Sequence, residues 1–141
     1  MKLDAEVFLD SAYLIALAQP GDQHHGIARQ IAELLNAART RIVTSRAVLL
    51  EVGSALSKIK FRPAAIQLVE SLERATLVEI VPLTEELCAA SWELFRQRTD
   101  KEWSWVDCVS FVVMRSRGLR QALTTDEHFE QAGFVALLRQ W

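Results

Sequence analysis

Cysteine is nearly absent from this chain: Cys88 and Cys108 are the only two in 141 residues. They stand apart in helix-like segments and read as buried free thiols rather than a disulfide framework. Neither they nor the histidines have zinc-ligand spacing, and the adjacent His24 and His25 read as ordinary residues at a helix start. Glycine is scarce too, and its five copies lie too far apart for GxGxxG, which removes support for dinucleotide binding. Gly21 and Gly26 have P-loop spacing, but Ile27-Ala28 stands where a Lys-Ser/Thr pair is required. No GxSxG elbow is present for a hydrolase serine. No apolar run approaches the about 20 residues that cross a bilayer. The opening MKLDAEVFLD puts two acids ahead of its short apolar run, unlike a signal peptide. Together these absences predict a soluble, cytoplasmic protein.

An excess of either charge is missing as well. Sixteen basic residues face eighteen acidic ones, and the net charge of −2 argues against a general nucleic-acid binder. The basic residues are grouped, however, at Arg39/Arg41/Arg46, Lys58/Lys60/Arg62, Arg96/Arg98/Lys101 and Arg115/Arg117/Arg120. Each group suits a helix C-terminus, and several bordering one cleft would also hold phosphates. Half the residues are hydrophobic, as in a globular protein, and the length suits one domain over residues 1–141.

The order of segments predicts the architecture. Glu6–Leu9 is a short apolar run, and Ser11–Ala18 a helix ended by Pro20-Gly21. His25–Ala38 keeps helical spacing through Ile27, Ile31, Leu34 and Leu35. Arg41–Thr44 reads as a strand, and Thr44 or Ser45 caps a helix expected to run to about Lys60. Pro63 suits the first turn of a helix over Ala64–Arg74. Leu77–Leu83 reads as a third strand, followed by a helix from Thr84 to about Arg98, a loop over Asp100–Trp103 and a helix over Ser104–Arg117 with Gly118 as its stop. Gln121–Thr124 is a fourth strand, Glu127–Ala132 a short helical turn and Phe134–Leu138 a candidate fifth strand. Strands alternating with helices predict an α/β fold, with a parallel-stranded central sheet of four to five strands sandwiched between helices. The site of such a fold lies at the carboxyl ends of its strands.

Four acids sit where acids are costly. Asp107 is the only charged residue between Trp103 and Met114. Asp10 ends Val7-Phe8-Leu9, Glu51 follows Val48-Leu49-Leu50, and Asp126 follows Ala122-Leu123-Thr124-Thr125. Three have a local explanation, since Asp10 and Asp126 can cap the helices they precede and Asp107 has capping-box spacing from Ser104. Glu51 has none, lying inside a helix along the stripe Val48, Val52, Ala55 and Ile59. Two carboxylates about 5 Å apart repel by roughly 3 kcal/mol at an effective dielectric of 20, so a cluster calls for a divalent cation. All-oxygen donors favour Mg²⁺ or Mn²⁺, and oxygen-ligated metal chemistry on a phosphate is what is left standing.

The segments VFLDSAYLIAL, SRAVLLEVGSAL, DKEWSWVDCVSF and ALTTDEHFEQAGF, in that order and spacing, resemble a PIN domain over essentially the whole chain. Among PIN domains the chain is most similar to VapC-like toxins of prokaryotic toxin–antitoxin pairs. The resemblance implies a metal-dependent endoribonuclease with Asp10, Glu51, Asp107 and Asp126 as its acidic quartet. It implies small polar partners at Ser11 and Thr125, and supporting roles for Asp100 and Ser104 in the loop before Asp107. It also implies an RNA substrate, a homodimer and a cognate antitoxin at the acidic groove. Trp103 or Phe129 would either stack on a splayed base or pack in the core.

Other readings are distinguishable. A signalling receiver domain needs paired acids after the first strand, an acid after the third and a late lysine; Asp10 stands alone, Leu77–Leu83 ends without an acid, and the last lysine is Lys101. A non-catalytic RNA- or protein-binding module would have no use for an intact quartet, and a DNase would share the same chemistry because water attack does not need the 2′-OH.

Overall fold

The computed structural model describes residues 2–141. Five parallel strands form one sheet in the order β3-β2-β1-β4-β5: β1 Glu6–Leu9, β2 Arg41–Ser45, β3 Val78–Val81, β4 Gln121–Leu123 and β5 Val135–Ala136. The helices are α1 Ser11–Ala18, α2 His25–Ala38, α3 Arg46–Ala55, α4 Arg62–Arg74, α5 Glu85–Gln97, α6 Trp105–Arg117 and α7 Glu127–Gln131. α1 packs on α2, α3 and α4, while α5 packs along α6, and helices thus cover the sheet. Val7, Phe8 and Leu9 of the central strand are buried, as are Ala122 and Leu123 beside them. That two-sided burial explains why these strands read as continuous apolar runs instead of alternating ones.

The chain leaves β1 for β2 on one side and returns much later as β4 on the other. The strand order therefore reverses beside β1, and the crevice outside its carboxyl end is the place where such sheets bind ligands. The register puts Leu9 beside Leu123, with the Asp10 amide donating to the Leu123 carbonyl at 3.2 Å. The residues that follow β1 and β4 are thereby set side by side.

Local chemistry defines the helix ends. Ser45 accepts from the Val48 amide to open α3, Thr84 accepts from the Leu87 amide to open α5, and Gly118 closes α6 at φ 64°. Helix α3 stops at Ala55, short of the expected Lys60. Gly53-Ser54 weakens its last turn, and the Ser57 carbonyl instead accepts from the Arg62 guanidinium at 2.7 and 3.1 Å. Ile59 consequently leaves the apolar stripe assigned to it and is exposed. The fifth strand is brief: Val135–Ala136 pairs with β4 before a 3₁₀ turn over Leu137–Arg139. Cys108 is a buried free thiol, and Cys88 a partly buried one.

Candidate metal centre

Asp10 arrives directly from β1 and is only 4% exposed. It occupies the N-cap position of α1, yet its side chain makes no capping hydrogen bond. Instead, Oδ2 accepts from the Thr124 hydroxyl at 2.7 Å. Thr124 Oγ1 in turn accepts from the Asp126 backbone amide at 3.0 Å, so one buried hydroxyl links the ends of β1 and β4. Burial pushes the Asp10 carboxyl up to about 7; the Thr124 and Ser11 hydrogen bonds oppose that rise, and the charges of Asp107 and Glu51 add to it.

Glu51 projects from α3, partly buried, and accepts a hydrogen bond from the Ser11 hydroxyl at the start of α1. Asp107 lies in the first turn of α6. Its Oδ2 accepts from the Ser104 amide at 3.0 Å while Ser104 Oγ accepts from the Asp107 amide at 3.0 Å, a complete capping box. Burial raises the Asp107 carboxyl, the Ser104 amide and His128 draw it down, and the charge of Asp126 pushes it up again; the net displacement is upward. Asp126 caps α7 by accepting from the His128 amide at 2.9 Å. Capping and clustering therefore coincide at Asp107 and Asp126.

The imidazole of His128 completes the group. Its Nδ1 lies 2.9 Å from Asp107 Oδ2 and 3.4 Å from Asp126 Oδ1. One ligand atom from each of Asp107, Asp126 and His128 falls within 4.8 Å of the other two. Burial lowers the His128 pKa, but the Asp107 hydrogen bond and the charges of Asp126, Asp107 and Glu127 outweigh it and raise the pKa overall. The donors nearest one another are thus two carboxylates and a nitrogen, rather than oxygen alone.

An aromatic wedge holds the two acid-bearing segments. Trp103 and Phe129 each meet Phe111 edge to face, at 4.9 and 5.0 Å between centroids, and Trp103 Nε1 donates to Gln131 Oε1 at 3.0 Å. Both Trp103 and Phe129 are buried, so core packing is their role and base stacking is not.

One expected supporting residue stands elsewhere. Asp100 is exposed and bound by Arg98 through Nε and Nη2 at 3.0 and 3.1 Å, which holds its carboxyl down to about 2. A cation two residues away captured this acid before the site could. At the end of β4, the hydroxyl that joins the acids belongs to Thr124, not Thr125, because the register sets Thr124 beside Asp10. His128 had a signal in the sequence, an imidazole two residues after the helix-capping Asp126.

A carboxylate-rich crevice with buried, upward-shifted acids is suited to a divalent cation and to the phosphates such a cation attracts. Known proteins agree on its family. The PIN domain model matches residues 7–135. The 23S rRNA-specific endonuclease VapC20 of Mycobacterium tuberculosis is 33% identical over 130 residues, covering 92% of this chain and 95% of the relative, in each of two strains. The crystal structure of Mycobacterium tuberculosis VapC20, a sarcin–ricin-loop-cleaving toxin, superposes with a TM-score of 0.80 at 32% identity, covering 92% of this chain and 96% of the other. VapBC2 from Rickettsia felis, bound to a DNA fragment from its promoter, gives 0.67 at 16% identity, with 93% and 96% covered. FitAcB from Neisseria gonorrhoeae gives 0.62 at 18% identity, with 92% and 94% covered. These last two share the fold. With the family model spanning most of the sequence and a relative one-third identical across nearly its whole length, the chain belongs to the PIN domain family.

Proposed function

We propose that this protein is a metal-dependent endoribonuclease, the toxin component of a toxin–antitoxin pair. The observation that supports the reading is the chain of charge interactions beside β1, Asp10 with Glu51 and Asp107, and Asp107 with Asp126, in a chain one-third identical to a 23S rRNA-specific endonuclease. The residues fit a hard divalent cation, Mg²⁺ or Mn²⁺, held by those four acids. Asp10 supports the fit directly: a carboxyl pushed up to about 7 by burial and by neighbouring acids gains most from an added positive charge. When bound, the cation supplies Lewis-acid polarisation of the phosphate and makes the attacking water more acidic.

The chain's own groups set the geometry of that reaction. Thr124 fixes Asp10, Ser11 fixes Glu51, Ser104 fixes Asp107, and the His128 backbone amide fixes Asp126. Each acid is thus oriented before substrate arrives, which removes the reorganisation cost from the chemical step. A carboxylate of the quartet accepts the proton of the attacking water.

Two partner assignments accompany this reading, a cognate antitoxin and a second copy of the chain, both working in the cytoplasm. A homodimer has support from an uncovered apolar face. Leu50, Leu83 and Trp105 line one groove, and Trp105 continues through Trp92, 5.0 Å away, to Phe95. The five side chains are 37–59% exposed. With aromatic side chains of about 150–250 Å², they present roughly 400–500 Å² of apolar surface. That matches the about 450 Å² apolar share of a standard interface.

The test is cleavage of purified RNA. The relative's substrate makes 23S rRNA the first to assay, with primer extension across the sarcin–ricin loop, with and without Mn²⁺ or Mg²⁺. Metal-dependent cleavage that disappears in Glu51→Gln, and growth arrest on expression that is relieved by the antitoxin, are the expected results. An active-site-independent background, or intact RNA with metal-loaded protein on every RNA tried, would remove the assignment; cleavage of DNA alone would redirect it to a DNase.

A further inference from the structure

His128 stands apart from the quartet because it brings nitrogen to a site otherwise built from oxygen. Its ring is fixed from two directions. The His128 amide donates to Asp126 Oδ1 at 2.9 Å, and the next residue, Phe129, is fully buried against Phe111. The side chain is 23% exposed, and Nδ1 faces the carboxylates at 2.9 and 3.4 Å. Adjacent donors on an octahedral ion with bonds of about 2.1 Å are about 3.0 Å apart. Nδ1 and the two oxygens are close enough to become neighbouring ligands of one ion once Nδ1 exchanges its hydrogen bond with Asp107 Oδ2 for the metal. A purely orienting role explains less. The oxygen that His128 approaches, Asp107 Oδ2, already accepts from the Ser104 amide at 3.0 Å, so its position is set without the imidazole.

We propose that His128 Nδ1 is a direct protein ligand of the divalent cation, alongside Asp107 and Asp126, giving the site a mixed nitrogen–oxygen donor set. The proposal rests on the reading of this crevice as a metal-dependent nuclease site. Its chemical consequence is selectivity. Mg²⁺ strongly prefers oxygen donors and retains its waters, whereas Mn²⁺ accepts imidazole more readily. An all-carboxylate quartet separates the two ions weakly; one nitrogen ligand tilts the site toward Mn²⁺.

The experiment needs neither RNA nor catalysis. Pulsed electron paramagnetic resonance on the Mn²⁺-loaded wild-type protein is expected to show the nitrogen hyperfine coupling of a directly bound imidazole, lost in His128→Ala. Calorimetric titration with Mn²⁺ and with Mg²⁺, on both proteins, is expected to show Mn²⁺ affinity falling several-fold more than Mg²⁺ affinity on loss of the ligand, whereas loss of a merely orienting imidazole lowers both alike, by about 10–100-fold. The wild-type spectrum reads the bond directly and does not depend on the variant folding. Bound Mn²⁺ without a nitrogen coupling overturns the proposal, as does a folded His128→Ala protein that keeps wild-type Mn²⁺ affinity. Those outcomes leave the nuclease reading intact if RNA is still cut, whereas a nitrogen-coupled ion in a protein that cuts no RNA upholds the ligand and removes the nuclease.

Discussion

Replacing Asp10 by asparagine is expected to stabilise the metal-free protein at pH 8, although it removes a buried and hydrogen-bonded side chain. The folded-state pKa of Asp10 lies near 7, against an ordinary value of 3.8. Between those values the native protein holds a proton that the unfolded chain has released. Stability therefore falls as pH rises from about 4 to about 7, and the full penalty applies above the folded pKa. A displacement of about 3 units corresponds to a ceiling of about 4 kcal/mol. Asparagine keeps the oxygen that accepts from Thr124 but introduces a buried amide, at a cost of about 1–3 kcal/mol where it lacks a partner. The net gain at pH 8 is thus on the order of 1–3 kcal/mol, and it should vanish or reverse near pH 4.5. Urea unfolding in EDTA at intervals between pH 4.5 and 8.5 reads this difference directly. Parallel pH profiles for the two proteins, or a variant less stable than wild type at pH 8, would refute the argument that an uncompensated buried charge sits at this position.

The other expectations concern the rest of the site. Glu51→Gln should abolish metal-dependent RNA cleavage while changing stability by no more than about 1 kcal/mol, measured by cleavage assay and thermal melting of the same preparation. Mn²⁺ or Mg²⁺ should raise the thermal midpoint of wild type, by the equivalent of about 2.7 kcal/mol at a hundredfold excess over the dissociation constant, and an unchanged melt in millimolar Mn²⁺ would contradict a preformed site. Thr124→Val removes the donor to Asp10 and the acceptor for the Asp126 amide, so unfolding free energy should drop by about 1–3 kcal/mol and kcat should fall more than KM changes. Asp100→Asn, by contrast, should leave cleavage at the wild-type rate, since Arg98 holds that acid in an exposed local pair.

Much of this site is legible in the sequence because burying an acid is costly. Asp10, Glu51, Asp107 and Asp126 each break or end an apolar run, and that contrast survives without knowledge of the fold. Strand and helix order is legible for a similar reason, since two-sided burial of β1 and β4 writes itself as unbroken apolar segments. What is not legible depends on long-range register. The choice between Thr124 and Thr125 follows from the pairing of Leu9 with Leu123, a contact between residues more than a hundred positions apart. His128 is partly such a case: its position two residues after Asp126 is visible in the sequence, but its contact with Asp107 on another helix is not. Asp100 shows the opposite failure, where proximity to the quartet in sequence counted for less than the arginine two residues away. Helix α3 ends before Lys60 because Gly53-Ser54 and the Arg62 contact at Ser57 act against an otherwise helical pattern.

The Thr124–Asp10 hydrogen bond has a consequence for the life of the nascent chain. Its partners are separated by 114 positions, and Asp126 follows only two residues after Thr124. At bacterial-type elongation rates of about 5–20 residues per second, Asp10 precedes Asp126 out of the peptidyl-transfer centre by roughly 6–23 s. Throughout that interval β1 has one flank without a neighbour, and the cluster has neither its last acid nor its imidazole. A growing chain on the ribosome therefore lacks the proposed metal site until β4 arrives. Assembly of the crevice begins only once β4 and Asp126 have been made and have docked beside β1.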